Sequence, residues 1–187
     1  VFATNNPNKL SELQALVPDG IQVLSLKDIN CNEELPETNP TLHENALQKA
    51  KYVYQNYGFN CFADDTGLEI DALGGAPGVY SARYAGVECK AEDNIKKVLT
   101  KLENEENRNA KFRTVIALII KGKENLFEGE CNGVITETKN GLEGFGYDPI
   151  FTPQGYGITF AEMSKQEKGA ISHRGRAVEK LVGFLHV

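Results

Sequence analysis

Two adjacent carboxylates, Asp64 and Asp65, stand between the apolar Phe62-Ala63 and the pair Thr66-Gly67. The apolar lead-in predicts a strand over 60–63 and places the aspartates at a strand-to-loop junction. Side chains alternate along an extended chain, so one carboxylate can face a cleft while the other braces the loop. An acid at such an edge suits a hard, oxygen-loving cation such as Mg2+, or a base that activates water. Two solvated acids in an Asx turn are the alternative reading.

Other residues have types and spacing fit for a phosphorylated ligand. Thr4-Asn5-Asn6-Pro7-Asn8-Lys9 reads as a strand over 1–4, a polar turn, and a helix over 9–16. A helix start offers amide donors and a positive dipole end, a seat for phosphate, with Lys9 as a point charge; a simple capped helix start is the alternative. The phosphate loop pattern G-x-x-x-x-G-K-[ST] does not occur. Phe145 lies between glycines and is followed by Tyr147 and Asp148, so its uncrowded ring can stack on a planar base or fold onto the core. Lys168, His173 and Arg174 gather three potential cations where the last helix begins, an arrangement that suits an anionic or carbonyl-rich partner or forms a solvated basic turn. Arg83, in the glycine-rich run 74–86, is a further candidate for phosphate contact or part of a structural loop.

The elements that must hold these residues follow from patterning. A second short strand is expected over 22–26. Thr41-Leu42-His43-Glu44 has capping-box spacing and opens a helix to Tyr57, with Gly58 as its cap. A charged amphipathic helix is expected over 91–103, and long strands over 110–120 and 125–136 form a hairpin around Lys121-Gly122-Lys123. A brief strand is expected over 149–152. Ser164-Lys165-Gln166-Glu167 is another capping box, and a final helix runs over 172–185. Alternating helices and strands with an inserted hairpin imply an α/β fold with a mixed sheet.

Bulk properties narrow the class. The 187 residues suffice for one domain with a real core, and 41% hydrophobic and 25% charged residues give no sign of disorder. The longest apolar run, 115–120, is too short to cross a bilayer, and the opening residues read as a strand rather than a signal peptide. Cysteines 31, 61, 89 and 131 are scattered without a C-x-x-C pair, which argues for free thiols in a reducing cytoplasm and against zinc. A net charge of -6 disfavours nucleic acid as a partner.

Seven motifs run in order from end to end. They are Ala3-Thr4-Asn5-Asn6 with Lys9; Leu35-Pro36-Glu37; Glu44-Asn45-Ala46; Ala63-Asp64-Asp65-Thr66-Gly67-Leu68; the run from Leu73 through Gly78 to Tyr84; Gly144-Phe145-Gly146-Tyr147-Asp148-Pro149; and Ile171-Ser172-His173-Arg174-Gly175. Together they resemble the inosine triphosphate pyrophosphatase family, which acts on noncanonical purine nucleoside triphosphates. Pro36-Glu37 stands where many bacterial members have two acids, Asn5 where many have Gly, and Thr66 where Ser is common.

The resemblance implies an elongated mixed sheet flanked by helices, with two lobes enclosing an active-site cleft. It implies one domain over 1–187, a homodimer, a Mg2+ requirement, and hydrolysis of ITP, dITP and XTP to the monophosphate and pyrophosphate, cleansing the nucleotide pool. Carried onto matching positions, Glu37 and Asp65 hold Mg2+ and Asp65 activates the attacking water, supported by Asp64. Thr4, Asn5, Asn6, Pro7, Asn8 and Lys9 cradle the triphosphate, and Thr66 also binds it. Phe145 stacks on the base within Gly146, Tyr147 and Asp148, and Lys168, His173 and Arg174 complete the pocket. Inosine and xanthine carry a 6-oxo acceptor where adenine carries an amino donor, so pocket donors would discriminate; Arg174, with a fork left free by the phosphates, is the expected reader. Two other classes stay open: a related house-cleaning pyrophosphatase for modified pyrimidine or methylated guanine triphosphates, and a non-catalytic nucleotide-binding module.

Overall fold

The computed structural model describes residues 1–185; positions 186 and 187 of the domain expected over 1–187 lie outside the described residues. Five helices, α1 (Pro7–Leu16), α2 (Leu42–Tyr57), α3 (Ala91–Lys101), α4 (Lys165–Ile171) and α5 (His173–Leu185), flank one sheet. Its strands are β1 (Cys61–Ile70), β2 (Pro77–Gly78), β3 (Asn109–Ile120), β4 (Lys123–Ile135) and β5 (Phe151–Pro153), in the order β2-β1-β3-β4-β5. Each neighbouring pair is antiparallel, and the parallel character of the sheet rests on the single bridge Phe2–Phe62.

Several elements form where local chemistry demands. Asn6 caps α1 by accepting from the Asn8 and Lys9 amides, and Pro7 takes the first helical position, where a missing N–H is harmless. The helix therefore starts two residues earlier than expected. Thr41 caps α2 through the Glu44 amide, and Gly58 ends it in the left-handed region. Ser164 and Glu167 form the expected capping box of α4. Lys121 and Gly122 both take positive φ, at 50° and 76°, which closes the β3–β4 hairpin with the twist that two-residue turns favour.

Four expectations change. Residues 1–4 form the single bridge rather than a strand, and 22–26 form no strand; one amide bond, Phe2 N–H to the Leu24 carbonyl at 2.8 Å, ties the two segments. The brief strand expected over 149–152 lies at Phe151–Pro153 behind a short helical turn. The largest change is at the aspartates. β1 does not end before them but continues to Ile70, because pairing with β3 runs unbroken from Cys61–Ile119 to Ile70–Ala110. A full ladder on one edge and apolar Leu68 and Ile70 beyond outweigh the turn preference of two acids.

Alternation along β1 then decides what each carboxylate meets. Cys61 and Ala63 face a core built with α2, Val115, Ala117 and Ile119. Phe62 faces the opposite side, where Phe2, Ile116 and Leu118 pack with Ala177, Val178 and Leu181 of α5. Further along, Leu68 and Ile70 join a separate core with Ile95, Val98, Phe112, Phe151 and Phe160. Asp64 and Thr66 thus sit in the seam between two cores, while Asp65 turns toward α2.

Two glycines make this arrangement possible. A Cβ on Gly129 would lie 2.0 Å from the His173 carbonyl oxygen, so only glycine lets the start of α5 cross the sheet there. Gly129 is beside Thr114, and Thr114 beside Thr66, so that crossing delivers Arg174 to the seam. A Cβ on Gly67 would lie 2.7 Å from the Gly78 carbonyl oxygen, which is how closely β2 approaches the strand carrying the acids.

Candidate active site

A cavity of about 490 Å³ opens over this seam. It is lined by Thr4, Asn5, Asn6, Asn8, Lys9, Glu37, Asp65, Thr66, Phe145, Gly146, Tyr147, Asp148, Lys168, His173 and Arg174. Two sequence-nominated residues differ: Pro7 and Asp64 do not line it. Pro7 sits at the outer side of the α1 start, and Asp64 is buried beneath. Arg83 of the glycine-rich run is likewise absent from the lining; its guanidinium lies 5.1 Å from the Tyr80 ring.

Asp64 is the hub of a buried charge network. Its Oδ1 accepts from Lys9 Nζ at 3.0 Å, and its Oδ2 from Arg174 Nε and Nη2 at 3.2 and 3.1 Å. Burial pushes this carboxyl up, but Lys9, Arg174 and Lys49 outweigh burial and hold it well below the ordinary carboxylate range. Burial lowers the Lys9 ammonium more than Asp64 raises it. Arg174 goes the other way, since Asp64 and Glu12 outweigh its burial.

The network extends to the far end of the cavity. Glu12 of α1 accepts from both Lys168 and Arg174, and Lys168 also donates to Asp148 Oδ2 at 2.6 Å. The same Asp148 oxygen accepts the Phe145 N–H at 2.9 Å and so fixes the backbone carrying the ring. Lys168 and Arg174 stand 5.0 and 5.7 Å from the Phe145 ring centroid. Tyr147 donates its hydroxyl to the Ser81 carbonyl at 2.6 Å, tying the Phe145 loop to the loop across the cavity.

Asp65 has different company. Lys49 of α2 lies 3.9 Å from its Oδ1, contacts Glu37 Oε1, and donates to the Asp64 carbonyl at 2.6 Å. Asp65 Oδ2 is buried with no hydrogen-bond partner among the described residues. Burial raises its carboxyl above the ordinary value, more than Lys49 and Lys9 lower it. For Glu37 the balance reverses: burial is outweighed by Lys49, and the carboxyl is held low. Two carboxylates therefore converge on one ammonium, one of them with an oxygen unused.

Some nominated roles need correction. His173 is not a cation: burial, then Arg174 and Lys168, push it well below the ordinary histidine value, and its neutral ring stacks on Phe112 at 4.5 Å. Arg174 has no free fork. Among the described residues it donates to Asp64, Glu12 and Thr66, which uses four of its five N–H groups. The side chain of Asn5 accepts the Leu35 N–H at 2.9 Å and donates to the Glu33 carbonyl at 3.0 Å, so it braces the loop beside the cavity that it lines. The α1 amides of Asn8 and Lys9 are already donated to Asn6 Oδ1.

Sequence reasoning missed Glu12 and Lys49. Both carried a signal. Glu12 lies three residues beyond Lys9, on the same face of α1. Lys49 occupies the buried stripe Leu42, Asn45, Ala46, Lys49, Ala50, Val53 of α2, where a lysine calls for a counter-charge.

The fold and the cleft define an α/β protein with a deep, charge-lined pocket set between separate hydrophobic cores. The model of the Ham1 family matches residues 1–184, and the chain belongs to that family. The dITP/XTP pyrophosphatase of Christiangramia forsetii is 58% identical over 185 residues, covering 99% of this chain and 97% of that protein. The dITP/XTP pyrophosphatase of Flavobacterium johnsoniae is 56% identical over 185 residues, covering 99% and 96%. Among solved structures, a HAM1 protein from Coxiella burnetii matches with a TM-score of 0.90 at 40% identity, covering 99% of this chain and 96% of that one.

Proposed function

We propose that this protein hydrolyses noncanonical purine nucleoside triphosphates, ITP, dITP and XTP, to the nucleoside monophosphate and pyrophosphate. Full-length relatives named dITP/XTP pyrophosphatase support the substrate class. The observation that carries the chemistry is Asp65, which lines the cavity with Glu37 and Lys49 and whose Oδ2 is buried without a hydrogen-bond partner among the described residues.

Asp65 serves as the base. Water attacks the α-phosphorus, its proton passes to Asp65, and the bond from that phosphorus to the oxygen bridging the β-phosphate breaks, releasing pyrophosphate. Burial makes Asp65 a stronger proton acceptor than an exposed aspartate, which suits general-base work. Lys49 holds the carboxylate in place. Thr4, Asn5, Asn6, Asn8 and Lys9 receive the phosphates at the α1 start with Thr66 beside them, and a phosphate oxygen there would compete with Asn6 for the helix amides.

Glu37 and Asp65 fit a divalent cation, since the unpartnered Oδ2 leaves a lone pair unused next to a second acid. Mg2+ is usually held by one or two carboxylates together with substrate phosphates, and it would supply charge stabilisation to those phosphates. Net charge favours this reading. Lys9, Lys49, Lys168 and Arg174 are matched by Glu12, Glu37, Asp64, Asp65 and Asp148, so the cleft holds no surplus positive charge for a polyanion.

Phe145 stacks on the base, between the backbone of Gly146 and the cations behind the ring. Lys168 and Arg174 each keep one N–H among the described residues. A 6-oxo group satisfies such donors, whereas a 6-amino group leaves donor facing donor, which costs a hundredfold or so in rate.

A homodimer and a cytoplasmic setting belong to the same proposal. The family resemblance is the ground for the homodimer, and the four cysteines are free thiols, which suits a reducing compartment. Among the described residues no helix is long and apolar enough to cross a membrane. The decisive test is pyrophosphate release from ITP, XTP, dUTP, GTP and ATP with and without Mg2+. ITP and XTP should lead and depend on Mg2+; equal turnover of ATP or dUTP would sink the proposal.

A further inference from the structure

The loop that presents Glu37 contains no regular secondary structure, yet it carries one of the two acids assigned above to the cation. What fixes it is a set of side-chain amides. Asn45 Oδ1 accepts the Asn39 N–H at 2.8 Å while Asn45 Nδ2 donates to the Asn39 carbonyl at 3.2 Å, so one carboxamide satisfies both backbone groups of a single residue. Gln48, one turn of α2 further on, accepts from the Thr38 N–H at 3.0 Å and from Asn39 Nδ2 at 2.9 Å, and donates to Thr38 Oγ1 at 2.8 Å. Five hydrogen bonds from two side chains therefore bind the two residues that directly follow Glu37.

The placement along α2 gives these bonds a purpose. Asn45, Gln48 and Lys49 lie on adjoining turns, and Lys49 is the residue whose ammonium contacts both Glu37 and Asp65. One rigid helix thus grips the backbone after Glu37 and the carboxylate of Glu37 at the same time. Asn45 is itself buried, and a carboxamide buried in an apolar stripe is costly unless its bonds serve something. On the other flank, Asn5 holds the Leu35 N–H and the Glu33 carbonyl, so the loop is tied on both sides.

We propose that Asn45 and Gln48 are positioning residues that hold Glu37 at the distance from Asp65 which a shared divalent cation requires. The inference rests on the assignment of Glu37 and Asp65 to the cation made above. Neither residue lines the cavity, so neither touches substrate. Their contribution is preorganisation: without the clasp the loop must be ordered each time the cation binds, and affinity falls while the chemical step does not.

The test compares Gln48→Met, Asn45→Ala and Glu37→Gln with the wild-type chain. Gln48→Met keeps length and helix preference and leaves a half-exposed site, so it keeps the test open should the buried Asn45→Ala fail to fold. Amide hydrogen exchange, followed by NMR, should quicken at least about tenfold at Thr38 in Gln48→Met and at Asn39 in Asn45→Ala, because in each case that N–H loses its acceptor. Titration with Mn2+ alone, read by the loss of its free EPR signal, should show affinity weakened by about fivefold, the equivalent of one net hydrogen bond. The Mg2+ concentration for half-maximal turnover should rise by a similar factor, while kcat at saturating Mg2+ stays within about twofold. Unchanged exchange, or faster exchange with unchanged Mn2+ affinity, overturns the clasp alone. Unchanged Mn2+ affinity in Glu37→Gln overturns the cation assignment and this inference with it.

Discussion

The Lys9 ammonium lies 3.0 Å from Asp64 Oδ1, and Arg174 occupies the other oxygen of the same carboxylate. Asp64 is therefore a buried counter-ion shared by two cations, and its neighbour Asp65 is the acid with an unused oxygen. Adjacent residues of one strand divide the labour because their side chains leave opposite faces of it.

Asp65→Asn should reduce pyrophosphate release from ITP by roughly a thousandfold or more, because the amide keeps the shape but loses both the base and the charge. Far-ultraviolet circular dichroism and the melting temperature should stay close to wild type. Near-normal turnover by the variant would move the base elsewhere.

Stability should carry the signature of Asp64. Burial alone would raise its pKa, but the cations outweigh burial and depress it, so the folded chain binds fewer protons at Asp64 than the unfolded chain does. Its contribution is then complete above the ordinary value of 3.8 and is lost as pH falls toward the depressed one. Urea midpoints should drop between about pH 5 and pH 3 in the wild type. Asp64→Asn should be less stable at pH 7 and show a shallower drop; parallel curves would mean that Asp64 does not govern the acid response.

Arg174→Ala should strip Asp64 and Glu12 of a buried partner at once. Breaking such a pair costs about 3–5 kcal/mol, and the melting temperature should fall accordingly. ITP and ATP turnover should both decline, with the ratio between them changing less than either rate. Arg174→Lys should recover little, because a point charge cannot span Asp64, Glu12 and Thr66 as the planar fork does. A stable variant that loses ITP turnover alone would return Arg174 to the role of a dedicated base reader.

Phe145→Ala should weaken substrate binding by about 1–3 kcal/mol, the usual worth of a base stacked on an aromatic ring. Since stacking is blind to exocyclic groups, KM for ITP and for GTP should rise together. An unchanged KM for ITP would show that the ring serves the cation pair behind it and not the ligand.

Much of this molecule was legible in the order of its residues, because the signals are local. Capping at Thr41 and Ser164 and the β3–β4 turn depend on residues within a few positions of one another, and the structure follows them. The ordered motifs likewise contain many of the residues that line the cavity, but Pro7, Asp64 and Arg83 stand outside the lining and Lys49 belongs to it without having been named. What the sequence could not decide was partnership. The aspartates lie mid-strand because β3, some fifty residues away, supplies a continuous ladder past them. His173 is neutral and Arg174 engaged because α5 is drawn against the sheet at Gly129, bringing both into a low-dielectric seam with Glu12 and Asp64. Charge state and hydrogen bonding depend on burial and on neighbours remote in sequence, and only the tertiary structure sets those.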